Sequence, residues 1–122
     1  MKHKILVIED NEQNLYLMQF LLEKHGLEVH AARTGPEGVQ AATALDPDAI
    51  LLDIQLPEMD GYAIARALRQ IDKLAHTPII AVTSYAMMGD REKALEAGAT
   101  DYIEKPINPE TFVSQISVHL PK

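Results

Sequence analysis

Residues 4–10 read Lys4-Ile5-Leu6-Val7-Ile8-Glu9-Asp10. A compact apolar run that breaks into two acids is an unusual ending for a buried strand. Three more runs end as abruptly. Ala49-Ile50-Leu51-Leu52 meets Asp53, Ile79-Ile80-Ala81-Val82 meets Thr83, and Tyr102-Ile103 passes through Glu104 into Lys105-Pro106. If the runs are parallel strands, these residues collect at one edge of a sheet, where open α/β sheets bind their ligands.

The stretches between the runs are amphipathic, and the alternation repeats five times, the pattern of an α/β domain with a parallel sheet. A first helix is predicted over about Glu12 to His25, with Leu15, Met18 and Leu22 on one face, Glu12 at its positive end and Gly26 to close it. Leu27, Val29 and Ala31 alternate with Glu28 and His30, as in a half-buried strand. Pro36 opens a helix carrying Val39, Ala42 and Leu45, and Pro47 ends it. Pro57 and Asp60-Gly61 shape a loop before a helix that buries Ile64, Leu68 and Ile71. A fourth helix, Ala86 to Ala97, has a thin apolar face (Met87, Ala94, Leu95) and Gly89 inside it, at a cost of roughly 1 kcal/mol against Ala. Asn108-Pro109 starts the last helix, with Phe112, Val113, Ile116 and Leu120 as its stripe.

The first, third and fourth runs are apolar throughout, as strands covered on both faces are, whereas the second and fifth alternate. The expectation is a three-layer, doubly wound, five-stranded parallel sheet in the order 2-1-3-4-5, of the flavodoxin-like (βα)5 kind. Its crevice lies between the first and third strands, lined by Glu9, Asp10 and Asp53.

The expectation is a single domain over residues 1–122 with no effector domain; the chain has 122 residues, 47% of them hydrophobic and 24% charged, a globular composition large enough for one core. Without cysteine there is neither a disulfide framework nor a thiolate metal site. No run suits a signal peptide or a membrane span, so the expected compartment is the cytoplasm. The formal net charge of −7, with scattered Lys and Arg, argues against nucleic-acid binding. The five histidines (His3, His25, His30, His76, His119) have no metal-ligand spacing and read as surface residues.

Glu9, Asp10 and Asp53 repel one another when gathered. Two unit charges ~4 Å apart interact by about 4 kcal/mol at an effective dielectric of ~20. Such a cluster takes up protons or holds a cation. Carboxylate oxygens without His or Cys favour Mg²⁺, which keeps waters and accepts phosphate oxygens. One carboxylate can then act as a nucleophile and become an aspartyl-phosphate. Asp53, alone at the end of a central strand, is the candidate; Glu9 and Asp10 suit the metal. Lys105 would neutralise the transferring group, and the Thr83 hydroxyl would donate to one of its oxygens.

These pieces, together with Asn11, Leu56-Pro57-Glu58-Met59-Asp60-Gly61 and Ala81-Val82-Thr83, make the chain resemble the receiver domain of two-component response regulators (CheY-like) from Lys4 to Leu120. Leu74-Ala75-His76-Thr77-Pro78 through Met88-Gly89-Asp90 resembles stand-alone cell-cycle regulators of the DivK type, a stretch that receivers of hybrid kinases share. The resemblance implies that Asp53 is the phosphoacceptor, supplied by a sensor histidine kinase or a histidine phosphotransfer protein. It implies Mg²⁺ on Asp10, Asp53 and the Gln55 backbone carbonyl, with Glu9, which stands where the family often has Asp, in support. Lys105 would pair with the acceptor, and its bond to Pro106 would be cis. Thr83 and Tyr102 would form the switch pair, with Tyr102 turning inward. Output would be read by a downstream protein on the surface of the fourth helix, fifth strand and fifth helix, by a monomer or a phosphorylation-dependent homodimer. The chain would be a phosphoacceptor switch and not an enzyme acting on an external substrate.

Three competing functions use the same residues or topology. One is a relay intermediate that passes phosphate to a histidine phosphotransfer protein. Another is a Mg²⁺ phosphatase of the haloacid dehalogenase type, whose Asp-any-Asp motif Glu9-Asp10-Asn11 does not supply. The third is a flavodoxin-type flavin module, in whose first loop an acidic pair is out of place. Gly35-Pro36-Glu37-Gly38 lacks a basic residue and reads as a helix start, not a phosphate loop.

Overall fold

The computed structural model describes residues 2–55, 60–83 and 89–121. Five parallel strands, β1 (Lys4–Ile8), β2 (Glu28–Ala32), β3 (Ala49–Asp53), β4 (Ile79–Thr83) and β5 (Asp101–Glu104), form one sheet in the order β2-β1-β3-β4-β5. That is the order expected from the all-apolar inner runs and the alternating outer ones. The register sets Ile8 beside Leu52, Asp53 beside Val82 and Thr83 beside Glu104, so the carboxyl ends finish together.

Alternate residues of the inner strands feed two cores. Ile5, Val7, Leu51, Ile80 and Val82 pack with Leu15, Met18 and Leu22 of helix α1 (Glu12–Lys24) and with Phe112 and Ile116 of α5 (Phe112–Ser117). Leu6, Ile8, Ile50, Leu52 and Ile79 pack with Ala42 of α2 (Gly35–Leu45) and Ile64, Ala65 and Leu68 of α3 (Gly61–Arg69). Asn11 caps α1 by accepting the Asn14 N–H at 2.9 Å, and Gly26 leaves the helix at φ 82°. Among the described residues, no helix is long and apolar enough to cross a membrane.

Several local expectations need correction. Gly89 does not interrupt α4 (Asp90–Glu96): it is the N-cap at φ 92°, a left-handed conformation that glycine adopts without a Cβ penalty. Leu95 is not part of the buried face but 41% exposed; Ala94 and Ala97 pack inward instead. Met87 and Met88 lie outside the described residues, as do Leu56, Pro57, Glu58 and Met59. Ala31 is exposed, on an edge strand that has a neighbour on one side only. Asn108 accepts the Glu110 N–H at 2.9 Å, but regular helix starts at Phe112, a turn later than predicted.

Three histidines are half-buried, not free surface residues. His119 lies 2.8 Å from Asp101, His30 2.6 Å from Glu28, and His3 3.6 Å from Asp48. Arg69, at the end of α3, donates to the carbonyls of Gly98, Leu74 and Thr77 and to Thr100 Oγ1. It ties α3 to the segments entering β4 and β5, and burial lowers its pKa.

Candidate functional site

The shared end point of β1, β3, β4 and β5 gathers the polar residues. Glu9 is wholly buried, Asp53 and Thr83 nearly so, and Asp10 is exposed. One oxygen from each of Glu9, Asp10 and Asp53 lies within 4.8 Å of the other two. Lys105 follows β5, held by its N–H donating to the Thr83 carbonyl at 2.7 Å. The Lys105–Pro106 peptide bond is cis. Lys105 Nζ lies 2.9 Å from Glu9 Oε1 and 3.4 Å from Asp53 Oδ2, so the lysine is shared and stands nearer to Glu9.

Glu9 carries the electrostatic strain of the site. Its carboxyl is pushed up to about 7, first by burial and then by the hydrogen bond and charge of Asp53; Lys105 opposes the rise. Oε2 accepts the Asn11 N–H at 3.2 Å. Oε1 is buried with Lys105 beside it but, among the described residues, without an aligned hydrogen bond. One ammonium does not neutralise three carboxylates. The donors are all oxygens, and among the described residues one buried oxygen, Glu9 Oε1, has only the Lys105 ammonium beside it, a set that fits a hard divalent cation such as Mg²⁺.

The loop after β3 is built on a close approach. Gly61 donates its N–H to the Ile54 carbonyl at 3.1 Å, and a Cβ there would lie 2.4 Å from Ile54 Cα. Asp60 caps α3 by accepting the Tyr62 N–H at 3.0 Å. Gln55 donates its backbone N–H to Asp53 Oδ1 at 2.9 Å and its Nε2 to Thr83 Oγ1 at 2.7 Å. The side-chain bond escapes sequence reasoning, because a glutamine two residues after an aspartate carries no periodic signal.

Tyr102 packs with Ile54 and Tyr62 around Ala81, Ala94 and Ala99. Its hydroxyl is buried without a hydrogen-bond partner among the described residues. Burial, then Asp90 and Glu104, raise its pKa. Thr83 and Tyr102 therefore lie on adjacent strands, with the tyrosine hydroxyl already inside.

The family profile described as "Response regulator receiver domain" matches residues 5–117. The polar-differentiation response regulator DivK of Brucella anthropi is 41% identical over 120 residues, covering 98% of each chain. The chemotaxis response regulator CheY4 of Vibrio cholerae superposes with a TM-score of 0.93 at 28% identity, over 98% of this chain and 100% of that one. The receiver domain of a Pseudomonas aeruginosa sensor histidine kinase, solved with a magnesium ion in its active-site cleft, gives 0.86 at 36% identity over 95% and 94%. With the strand order, the acidic crevice and these likenesses in agreement, the chain belongs to the response regulator receiver domain family of two-component signalling.

Proposed function

We propose that Asp53 accepts a phosphoryl group from a histidine kinase or histidine phosphotransfer protein and that the resulting charge changes which proteins the domain binds. The observation that carries this reading is the Asp53 carboxylate itself. It is buried at the end of a central strand, 3.4 Å from Lys105 Nζ and grouped with two further carboxylates.

Asp10, Asp53 and the Gln55 carbonyl would hold Mg²⁺, with Glu9 in support. When bound, the ion would offset carboxylate repulsion and orient phosphoryl oxygens. The chain's own residues do the rest. An Asp53 oxygen forms the new O–P bond as the donor's P–N bond breaks, and the electron pair leaves with the imidazole. Lys105 and the Thr83 hydroxyl stand where negative charge arrives. Phosphorylation adds about −1.5 to −2 charge and three acceptor oxygens. Moving a two-state equilibrium from 1:99 to 99:1 needs about 5.5 kcal/mol of differential stabilisation, to which contacts made only by the phosphorylated form contribute.

Thr83 and Tyr102 would pass the change to the face of α4, β5 and α5. Leu95 and Val118 are exposed large hydrophobic residues in and just after those helices, at 41% and 76%, which supports a docking role. The domain acts on no external substrate in this reading, and it works in the cytoplasm. Onward transfer to a phosphotransfer protein would use the same site. Likeness to a sensor-kinase receiver favours keeping that second reading, and reverse transfer to a histidine would establish it.

The test is incubation with acetyl phosphate with and without Mg²⁺, followed by intact mass and peptide mapping. One phosphoryl group on Asp53, dependent on Mg²⁺, is expected. Labelling elsewhere, or none, rejects the acceptor assignment.

A further inference from the structure

Helix α4 is fastened unevenly along its length. Ala94, Ala97 and Ala99, in and just beyond its C-terminal half, are at most 8% exposed. Ala97 packs in one core with Leu68 of α3 and Leu74, and Ala94 and Ala99 pack with Ala81 of β4. Among the described residues, nothing in the first turn belongs to a core cluster. Asp90 is half-buried, Arg91, Glu92 and Lys93 are exposed, and the Gly89 N-cap supplies no side-chain hydrogen bond. Two left-handed glycines bracket the helix, and their settings are opposite. Among the described residues, a Cβ on Gly89 would meet nothing within 4 Å. One on Gly98, at φ 112°, would lie 2.6 Å from Arg69 Cγ, because the arginine stem packs against that turn.

The head of Arg69 completes the fastening. Nε donates to the Gly98 carbonyl at 2.8 Å and Nη2 to Thr100 Oγ1 at 3.2 Å. Nη1 donates to the carbonyls of Leu74 and Thr77 at 2.7 and 2.6 Å. Thr100 is tied in turn to β4: its N–H donates to the Ile79 carbonyl at 2.7 Å, and its Oγ1 accepts the Ile79 N–H at 3.2 Å. A planar guanidinium reaches all four acceptors because its donors are held in one fork.

We propose that Arg69 clamps the C-terminal end of α4 as a pivot, so that phosphorylation displaces the first turn of the helix and leaves residues 96–100 in place. The open setting of Gly89 supplies the backbone freedom a hinge needs. The inference rests on Asp53 being the acceptor, and it divides the proposed output face in two. Leu95, beside the clamp, presents the same apolar contact in both states. The charged first turn, Asp90 to Lys93, is what a partner meets in a new position. A partner that tells the two forms apart therefore reads charge there, not apolar area.

The test is the backbone amide NMR spectrum of the full chain with and without beryllium trifluoride and Mg²⁺, in wild type and in Arg69→Lys. Lysine keeps the charge, but its single nitrogen cannot serve four acceptors in a fixed fork. In wild type the amide shifts of residues 89–93 should change severalfold more than those of residues 96–100. In Arg69→Lys that ratio should fall toward one, because the pivot is gone. Thermal melting checks that the variant folds. If it does not, Arg69→Gln takes its place, with the same outcomes for and against.

Equal changes along the helix and the turn that follows it in wild type overturn the proposal whatever the variant does. Confinement to the first turn that survives in a folded Arg69→Lys overturns the role of Arg69. A wild-type spectrum that does not respond to the phosphoryl analogue at Asp53 overturns the acceptor reading, and the proposal falls with it. That outcome is distinct from a response at Asp53 that spreads evenly through α4, which overturns the clamp alone.

Discussion

Glu9→Gln is the most informative single change for the electrostatics of the site. The wild-type carboxyl titrates near 4.5 when unperturbed and at about 7 in the fold. The folded state therefore holds a proton on Glu9 in the window between, where the unfolded chain has lost it. Stability falls as pH rises through that window, and the penalty is complete once pH passes about 7. The gap corresponds to about 3 kcal/mol. Gln keeps the shape of the neutral acid and cannot ionise. At alkaline pH the metal-free variant should therefore be more stable than wild type by roughly 2–3 kcal/mol, and the advantage should vanish toward the acid end of the window. Urea unfolding of both proteins across the window, without divalent metal, measures this directly. Mg²⁺ should raise the alkaline stability of wild type, since a ligand of the folded state stabilises by mass action. A wild-type stability that is flat or rises across the window would refute the reasoning, as would a variant less stable at every pH.

Further outcomes are expected elsewhere. Asp53→Asn should fold, take no label from acetyl phosphate and lose most of the Mg²⁺-induced rise in melting temperature, read by intact mass and thermal scans. Arg69→Ala should cost about 3 kcal/mol in chemical denaturation, because it strips donors from three carbonyls and a hydroxyl. Gly61→Ala should destabilise by about 2 kcal/mol or more in the same assay, since its Cβ would meet Ile54 backbone atoms that cannot move aside.

The sheet was legible because its signal is coarse and repeated. Ile5 to Ile8, Ala49 to Leu52 and Ile79 to Val82 are apolar on both faces, and only central strands of a covered parallel sheet need that. The gathering of Glu9, Asp10, Asp53, Thr83 and Lys105 followed from the strand order. What escaped depends on particular side chains meeting across the chain. Gly89 looks the same in sequence whether it weakens a helix or caps one; only its φ of 92° decides. Arg69 reads as a helix-end cation, and nothing local points to Gly98 or Thr100. The length of the Glu9 side chain lets it reach Lys105 at 2.9 Å, closer than Asp53 comes, and a residue count between charges does not reveal that competition. Gln55 reaches Thr83 between the ends of two strands, a contact fixed only when β3 and β4 are in register.

A crystal structure grown with Mg²⁺ and beryllium trifluoride would test the site most directly. Beryllium should bond to an Asp53 carboxylate oxygen, with fluorines contacting Lys105 Nζ and Thr83 Oγ1, and the metal should sit on Asp10, Asp53 and the Gln55 carbonyl. Beryllium absent from Asp53, with Lys105 still held by Glu9 and the metal bound elsewhere, would contradict the assignment of this crevice as a phosphoryl-accepting centre.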